Sequence, residues 1–177
     1  LFLIVMAVTL IRVVVPLEGE KQRREDEIKE IMNQIKDASK DENVTVNMND
    51  HSIDLGRIVN FKNNDDSISP EGAVFLRRYI PQKILKSLDS RPGHEWTRRI
   101  FVEGFTSQSG SYLHNLDLSL FRSRNVVCAL FDPPGANETA ISDADLEQIQ
   151  KIFLVGGYSN SSIKPDPAES RRVELKI

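Results

Sequence analysis

Residues 1–15 are apolar except for Thr9 and Arg12, and residues 17–42 are then highly charged and poor in glycine and proline after Gly19. The first stretch is shorter than the roughly 20 residues a membrane-spanning helix needs. The chain opens on Leu1 without an initiator Met, so an upstream piece is expected, and residues 1–16 are expected to be the outer part of a transmembrane helix. A buried core helix or strand and a signal-peptide remnant are the alternatives. Pro16-Leu17-Glu18 supplies no small-residue cleavage site, which disfavours the last. Arg12 can snorkel towards the headgroups. The flanking charges, Glu18, Glu20, Lys21, Arg23, Arg24 and Glu25, are mixed and do not settle orientation.

Residues 17–43 read as a charged juxtamembrane helix. Ile28, Ile31, Ile35 and Ala38 follow a 3-4-3 spacing with Met32 beside them. This stripe lasts about two heptads, fewer than a coiled coil requires, and leaves two readings open. It is either a parallel dimer seam or a face resting on the chain's own domain.

From residue 44 the pattern changes. Val44, Val46 and Met48 alternate with polar residues, Asn49 to Ser52 reads as a hairpin turn, and Ile53 and Leu55 resume the alternation. Ser69-Pro70-Glu71 is a helix start, with Ser as N-cap and Pro at the first helical position. Leu76, Ile80, Ile84 and Leu88 form a core-facing stripe that Pro81 should kink or divide. Arg91-Pro92-Gly93 is expected as a loop and Ile100 to Gly104 as a buried strand. A helix is expected from about Ser111 to Phe131, stopped by Asp132-Pro133-Pro134-Gly135. Ser142 and Asp143-Ala144-Asp145 open a short helix whose acids suit the positive end of its dipole. Ile152 to Val155 reads as a strand, Gly156-Gly157 as a turn, Asn160 to Ser170 as a polar loop, and Val173, Leu175 and Ile177 as a terminal strand. The order β-α-β-α-(α)-β-β implies an α+β fold with helices over one face of a mixed sheet.

The composition narrows the chemistry. A net charge of −3 argues against a nucleic-acid binder. Cys128 stands alone, so no internal disulfide forms. His51, His94, His114 and Cys128 show no metal-ligand spacing, and neither a metal nor a cofactor is expected. Ser161-Ser162-Ile163-Lys164 matches Ser-x-x-Lys without companion motifs, and Gly156-Gly157 lacks the Lys-Ser/Thr of a phosphate loop. Nothing here indicates an enzyme.

The most specific pattern is Gly104, Thr106, Ser107, Gly110, Asn115, Leu118, Ser119 and Arg122, followed at the end of the chain by Arg171-Arg172-Val173-Glu174. With Val59, Phe61 and Ser69-Pro70-Glu71-Gly72 read as a first strand and helix start, it resembles the C-terminal peptidoglycan-binding domain of the OmpA/MotB family over roughly residues 44–177. One position departs: the family's Gly-x-Thr-Asp turn here carries Ser107. The resemblance implies a two-layer β-α-β-α-β-β sandwich and a groove for a diaminopimelate-type stem peptide. It implies that Thr106, Ser107, His114, Asn115, Leu118, Arg122 and Arg171 form that groove, with the Arg122 fork able to hold a carboxylate bidentately. The missing turn carboxylate would otherwise bind the ligand's ammonium, and Glu103 or Asp117 are the candidates to compensate.

An apolar segment, a charged helix and such a domain, in that order, resemble the peptidoglycan-anchoring B subunit of an ion-driven stator, a family that includes flagellar MotB and the B subunits of Zorya anti-phage motors. The short linker and the absent turn acid resemble the Zorya branch more closely. That resemblance implies a single-pass inner-membrane protein with a periplasmic C-terminal domain, a homodimer, and a multi-spanning A-type partner subunit. It also implies an intramembrane Asp upstream of Leu1. The alternative function is a static wall-tethered envelope protein, or a dimeric scaffold without motor function.

Overall fold

The computed structural model describes residues 2–9, 12, 15–89, 99–136 and 138–177. The expected loop at Arg91-Pro92-Gly93 lies outside the described residues. The chain begins with helix α1 (Phe2–Thr9) and then α2 (Val15–Ala38). Among the described residues no helix is long and apolar enough to cross a membrane.

At 24 residues α2 is about 36 Å long. From Leu17 through Arg24 its side chains are exposed. Its last turns are not: Ile31, Met32 and Ile35 are wholly buried in the core that also holds Leu76, Ile80, Ile84 and Leu88. Two polar ties fix that end. Ser39 Oγ shares a 2.8 Å hydrogen bond with the buried Tyr79 hydroxyl, and the Arg78 guanidinium donates two bonds to the Glu42 carboxylate. The stripe considered as a dimer seam is therefore the face resting on the chain's own domain. Its apolar side chains pack within the chain's own core, which extends back to Ile31.

Strands β1 (Thr45–Asn47) and β2 (Ser52–Asp54) form the expected hairpin, turned at His51 with φ 55°. No strand follows at Val59 and Phe61. Arg57–Val59 is instead one 3-10 turn, and both apolar side chains are buried from irregular backbone. Phe61 is held there by a backbone bond from its N–H to the Arg171 carbonyl.

Helix α3 (Pro70–Tyr79) starts where the Ser-Pro pair predicts, with Ser69 Oγ accepting from Gly72 N–H at 3.0 Å. Pro81 cannot donate to the ladder, and the chain passes through a π-helical segment, Ile80–Leu85, before α4 (Lys86–Leu88). Strand β3 (Ile100–Gly104), helix α5 (Tyr112–Phe131), helix α6 (Asp143–Ile152), strand β4 (Phe153–Gly157), the short helix α7 (Pro167–Ser170) and strand β5 (Val173–Lys176) complete the fold.

The sheet order is β1-β2-β5-β3-β4, with β3 and β4 parallel and the other pairs antiparallel. The fold is α+β with a mixed sheet, as expected. Gly156-Gly157, expected as a turn, belongs to β4, for a steric reason. Gly104 and Gly157 are register partners beneath α5. A Cβ on Gly104 would lie 1.9 Å from the Ser119 carbonyl oxygen, and one on Gly157 would lie 2.7 Å from Leu120 N. Two glycines side by side let α5 sit directly on the sheet at Ser119, which sets the height of everything on its first two turns.

Candidate functional site

The end of β3, the turn after it and the first turns of α5 define one wall of a cleft. Thr106 N–H donates to the Ser159 carbonyl at 2.9 Å, and Ser159 N–H donates to Ser119 Oγ at 2.9 Å, so the turn is tied to the segment just after β4 and to the helix. Gly110 adopts φ +97°, a left-handed conformation that favours glycine, and a Cβ there would press on the His114 ring at 3.2 Å. Ser111 then caps α5, accepting from His114 N–H.

The opposite wall is the polar loop 62–67, and Arg122 builds it. Arg122 is fully buried. Its Nε donates to the Asp65 carbonyl at 3.0 Å, its Nη1 to the Phe105 carbonyl at 3.0 Å, and its Nη2 to the carbonyls of Lys62 and Asp65 at 3.0 and 2.9 Å. The guanidinium also lies over the Phe61 ring, 5.0 Å from its centroid. Burial pushes its pKa down to about 10, with the charge of Arg171 adding to the shift and those of Asp65 and Asp66 opposing it. Hydrogen bonds to carbonyls favour the charged form, and a guanidinium stays protonated in a protein interior. Asn125 Nδ2 reinforces the loop by donating to the Asp66 carbonyl at 2.9 Å.

Between these walls lies a cavity of about 310 Å³, lined by Asn63, Asn64, Thr106, Ser107, Ser109, Gly110, His114, Asn115, Leu118 and Arg122. Six of the seven residues expected for the groove therefore meet around one cavity. His114 Nε2 and Asn64 Oδ1 lie 2.6 Å apart across it. Two buried polar atoms here have no partner, Thr106 Oγ1 and Asn115 Nδ2. Their residues are 1% and 2% exposed. Such atoms are costly to leave unpaired and so point to a ligand.

Three expectations need correction. The Arg122 fork does not face a ligand bidentately: four of its five N–H groups hold backbone carbonyls, which leaves one on Nη1. Arg171 lies away from the cavity lining; its Nε donates to the Phe61 carbonyl and its Nη1 to the Pro167 carbonyl, both at 2.9 Å, so it braces the loop that Arg122 stacks on. Neither compensating acid reaches the cavity. Glu103 alternates to the other face of β3, where it hydrogen-bonds Tyr158 and raises that phenol's pKa, and Asp117 is exposed and outside the lining. Sequence reasoning also passed over Asn63 and Asn64. Their signal was an amide pair in a loop that must return to Ser69, with Asn64 able to take a left-handed φ of 55°.

The chain is 36% identical to the Zorya protein ZorB of Escherichia coli O139:H28, over all of this chain and 74% of that one. The cell wall anchor of the T6SS from Pseudomonas aeruginosa has the same fold, with a TM-score of 0.50 at 17% identity over 82% of this chain and 94% of that one. The periplasmic domain of Helicobacter pylori MotB matches with a TM-score of 0.47 at 18% identity, over 70% of this chain and 79% of that one. No protein-family model matches the chain.

Proposed function

We propose, for a chain that belongs to the ZorB family of Zorya proteins, that the cavity between loop 62–67 and α5 grips the stem peptide of peptidoglycan and makes the domain the fixed end of a stator B subunit. The observation that carries this reading is the pair of unpartnered, buried polar atoms, Thr106 Oγ1 and Asn115 Nδ2, in a cavity that Arg122 shapes and lines with one N–H to spare. Donors held in place before binding lose little entropy on meeting a ligand's carboxylate or carbonyl oxygens. The role read from these groups is one of anchoring.

The rest of the chain fits an anchored subunit. Ile4, Val5, Met6 and Val8 on α1 are exposed, as suits the outer part of a membrane helix. Helix α2 then carries a charged, exposed stretch into the domain core. The reading places the domain in the periplasm, with a multi-spanning A-type subunit and a second copy of this chain as membrane partners.

Co-sedimentation with purified sacculi tests the binding. The wild type is expected in the pellet and Asn115→Leu, nearly the same shape without the amide, in the supernatant with an unchanged fold. Wild type that stays in the supernatant would refute the reading. Arg122→Ala is a poor substitute, because it releases three backbone carbonyls and the loop with them. Co-purification with a multi-spanning partner separates a motor subunit from a static tether.

A further inference from the structure

Among the described residues none that lines the cavity is a carboxylate. Arg122 is the only formal charge among these lining side chains, and the rest are amides, hydroxyls, His114 and Leu118. Ser107, where this chain departs from the Gly-x-Thr-Asp turn it resembles, is 8% exposed, and among the described residues only Ser109 Oγ lies near its hydroxyl, at 3.4 Å. The acids around the cleft are engaged elsewhere. Asp65 Oδ1 accepts from Ser67 Oγ at 2.6 Å and Ser67 N–H at 2.9 Å, which holds its pKa below the usual carboxylate range. Asp66 Oδ2 accepts from Asn125. Glu103 lies on the far face of β3 with Tyr158. The spare groups are two donors, Asn115 Nδ2 and one N–H on Arg122 Nη1, and the Thr106 hydroxyl, which donates or accepts but carries no charge.

A primary ammonium entering this cleft would give up hydration, find no anion and face a guanidinium of its own sign. A neutral amide nitrogen escapes that penalty, and the carbonyl beside it can accept from one of the idle donors. A diamino-acid stem peptide exists in both forms: its side-chain nitrogen is a free ammonium in an uncrosslinked strand and an amide in a crosslinked one. Resting on the reading of this cavity as a stem-peptide site, we propose that Ser107 sets its specificity for the acylated form, so that the domain anchors on crosslinked wall.

The test is calorimetric titration of the full chain in detergent with two synthetic disaccharide tetrapeptides, alike except that one is N-acetylated on the side-chain amine. The wild type is expected to bind the acetylated ligand about tenfold more tightly, the scale of one charge-dependent contact. Ser107→Asp is expected to reverse the order, and Ser107→Asn, neutral and similar in size, to keep it. Equal affinities, or a preference of the wild type for the free ammonium, overturn the specificity while leaving the stem-peptide site in place. Binding of neither ligand overturns the site itself. If Ser107→Asp fails to fold, the wild-type ratio and Ser107→Asn decide the matter alone.

Discussion

Replacing Thr106 by Val should strengthen the fold and weaken the grip. Thr106 is 1% exposed, and its backbone N–H bond to Ser159 survives any change of side chain. Its hydroxyl has no partner. A buried, unpaired hydroxyl costs about 1–3 kcal/mol, and Val fills the same volume with a methyl group. Part of that gain is offset because Val fits the cleft only as well as Thr did, so the expected stabilisation is about 1–2 kcal/mol. For a chain of this size that raises Tm by about 2–8 °C. Urea unfolding should show a higher midpoint at unchanged slope, the mark of a stability change without a change in compactness. The same variant should bind sacculi about fivefold less well, as one hydrogen bond of roughly 1 kcal/mol is lost. A destabilised Thr106→Val would mean that the hydroxyl supports the turn. Unchanged wall binding would mean that it never meets the ligand. Either result refutes the argument from unpaired atoms.

Other consequences are as direct. Gly104→Ala places a methyl 1.9 Å from the Ser119 carbonyl and should cost about 3 kcal/mol in urea unfolding, and a variant as stable as wild type would show that α5 does not sit so close. Ile35→Ala should cost about 3 kcal/mol, and a fragment beginning at residue 44 should fail to give a cooperative melt, because the end of α2 is part of the core. Side-chain hydrogen bonds from Arg78 and Arg77 hold the carboxyls of Glu42 and Glu138 below their ordinary value of 4.5. A depressed folded pKa gives stability that is present above the unfolded value and lost as pH falls through the folded one. Melting at pH 7 and pH 3 should therefore show a larger drop for wild type than for the Glu42→Gln, Glu138→Gln double variant.

Much of the fold was legible because local rules and burial agreed. The Ser69-Pro70 start, the four-residue stripe from Leu76 to Leu88, the cap at Ser142 and the alternation through Ile100 to Gly104 each specify their element without outside help. The failures share a different cause. Gly156-Gly157 reads as a turn by composition, but its role depends on a helix crossing above it, which no local window contains. Ile28 to Ala38 has the same spacing whether its partner is another chain or Ile84, and only the packed structure says which. Val59 and Phe61 are buried without strand geometry, because Arg171 and Arg122 secure Phe61 from outside its own segment.

The site shows the same division at the level of single atoms. Spacing brought His114, Asn115, Leu118 and Arg122 onto one side of α5 and placed Thr106 and Ser107 opposite, which a motif can do because helix geometry is regular. Whether a side chain acts on a ligand depends on which of its hydrogen bonds the protein already uses. Arg122 looks like the chief ligand group in the sequence, yet four of its N–H groups hold Lys62, Asp65 and Phe105 in place. Asn115 and Thr106, less conspicuous in the motif, keep unused atoms at the cavity. Substituting Arg122 therefore perturbs the shape of the cleft first and its affinity second, whereas substituting Thr106 or Asn115 perturbs affinity in a cleft that is otherwise intact. Selectivity then falls to the uncharged rim, where exchanging Ser107 for a carboxylate changes which form of a ligand's nitrogen can be desolvated without an unpaired charge.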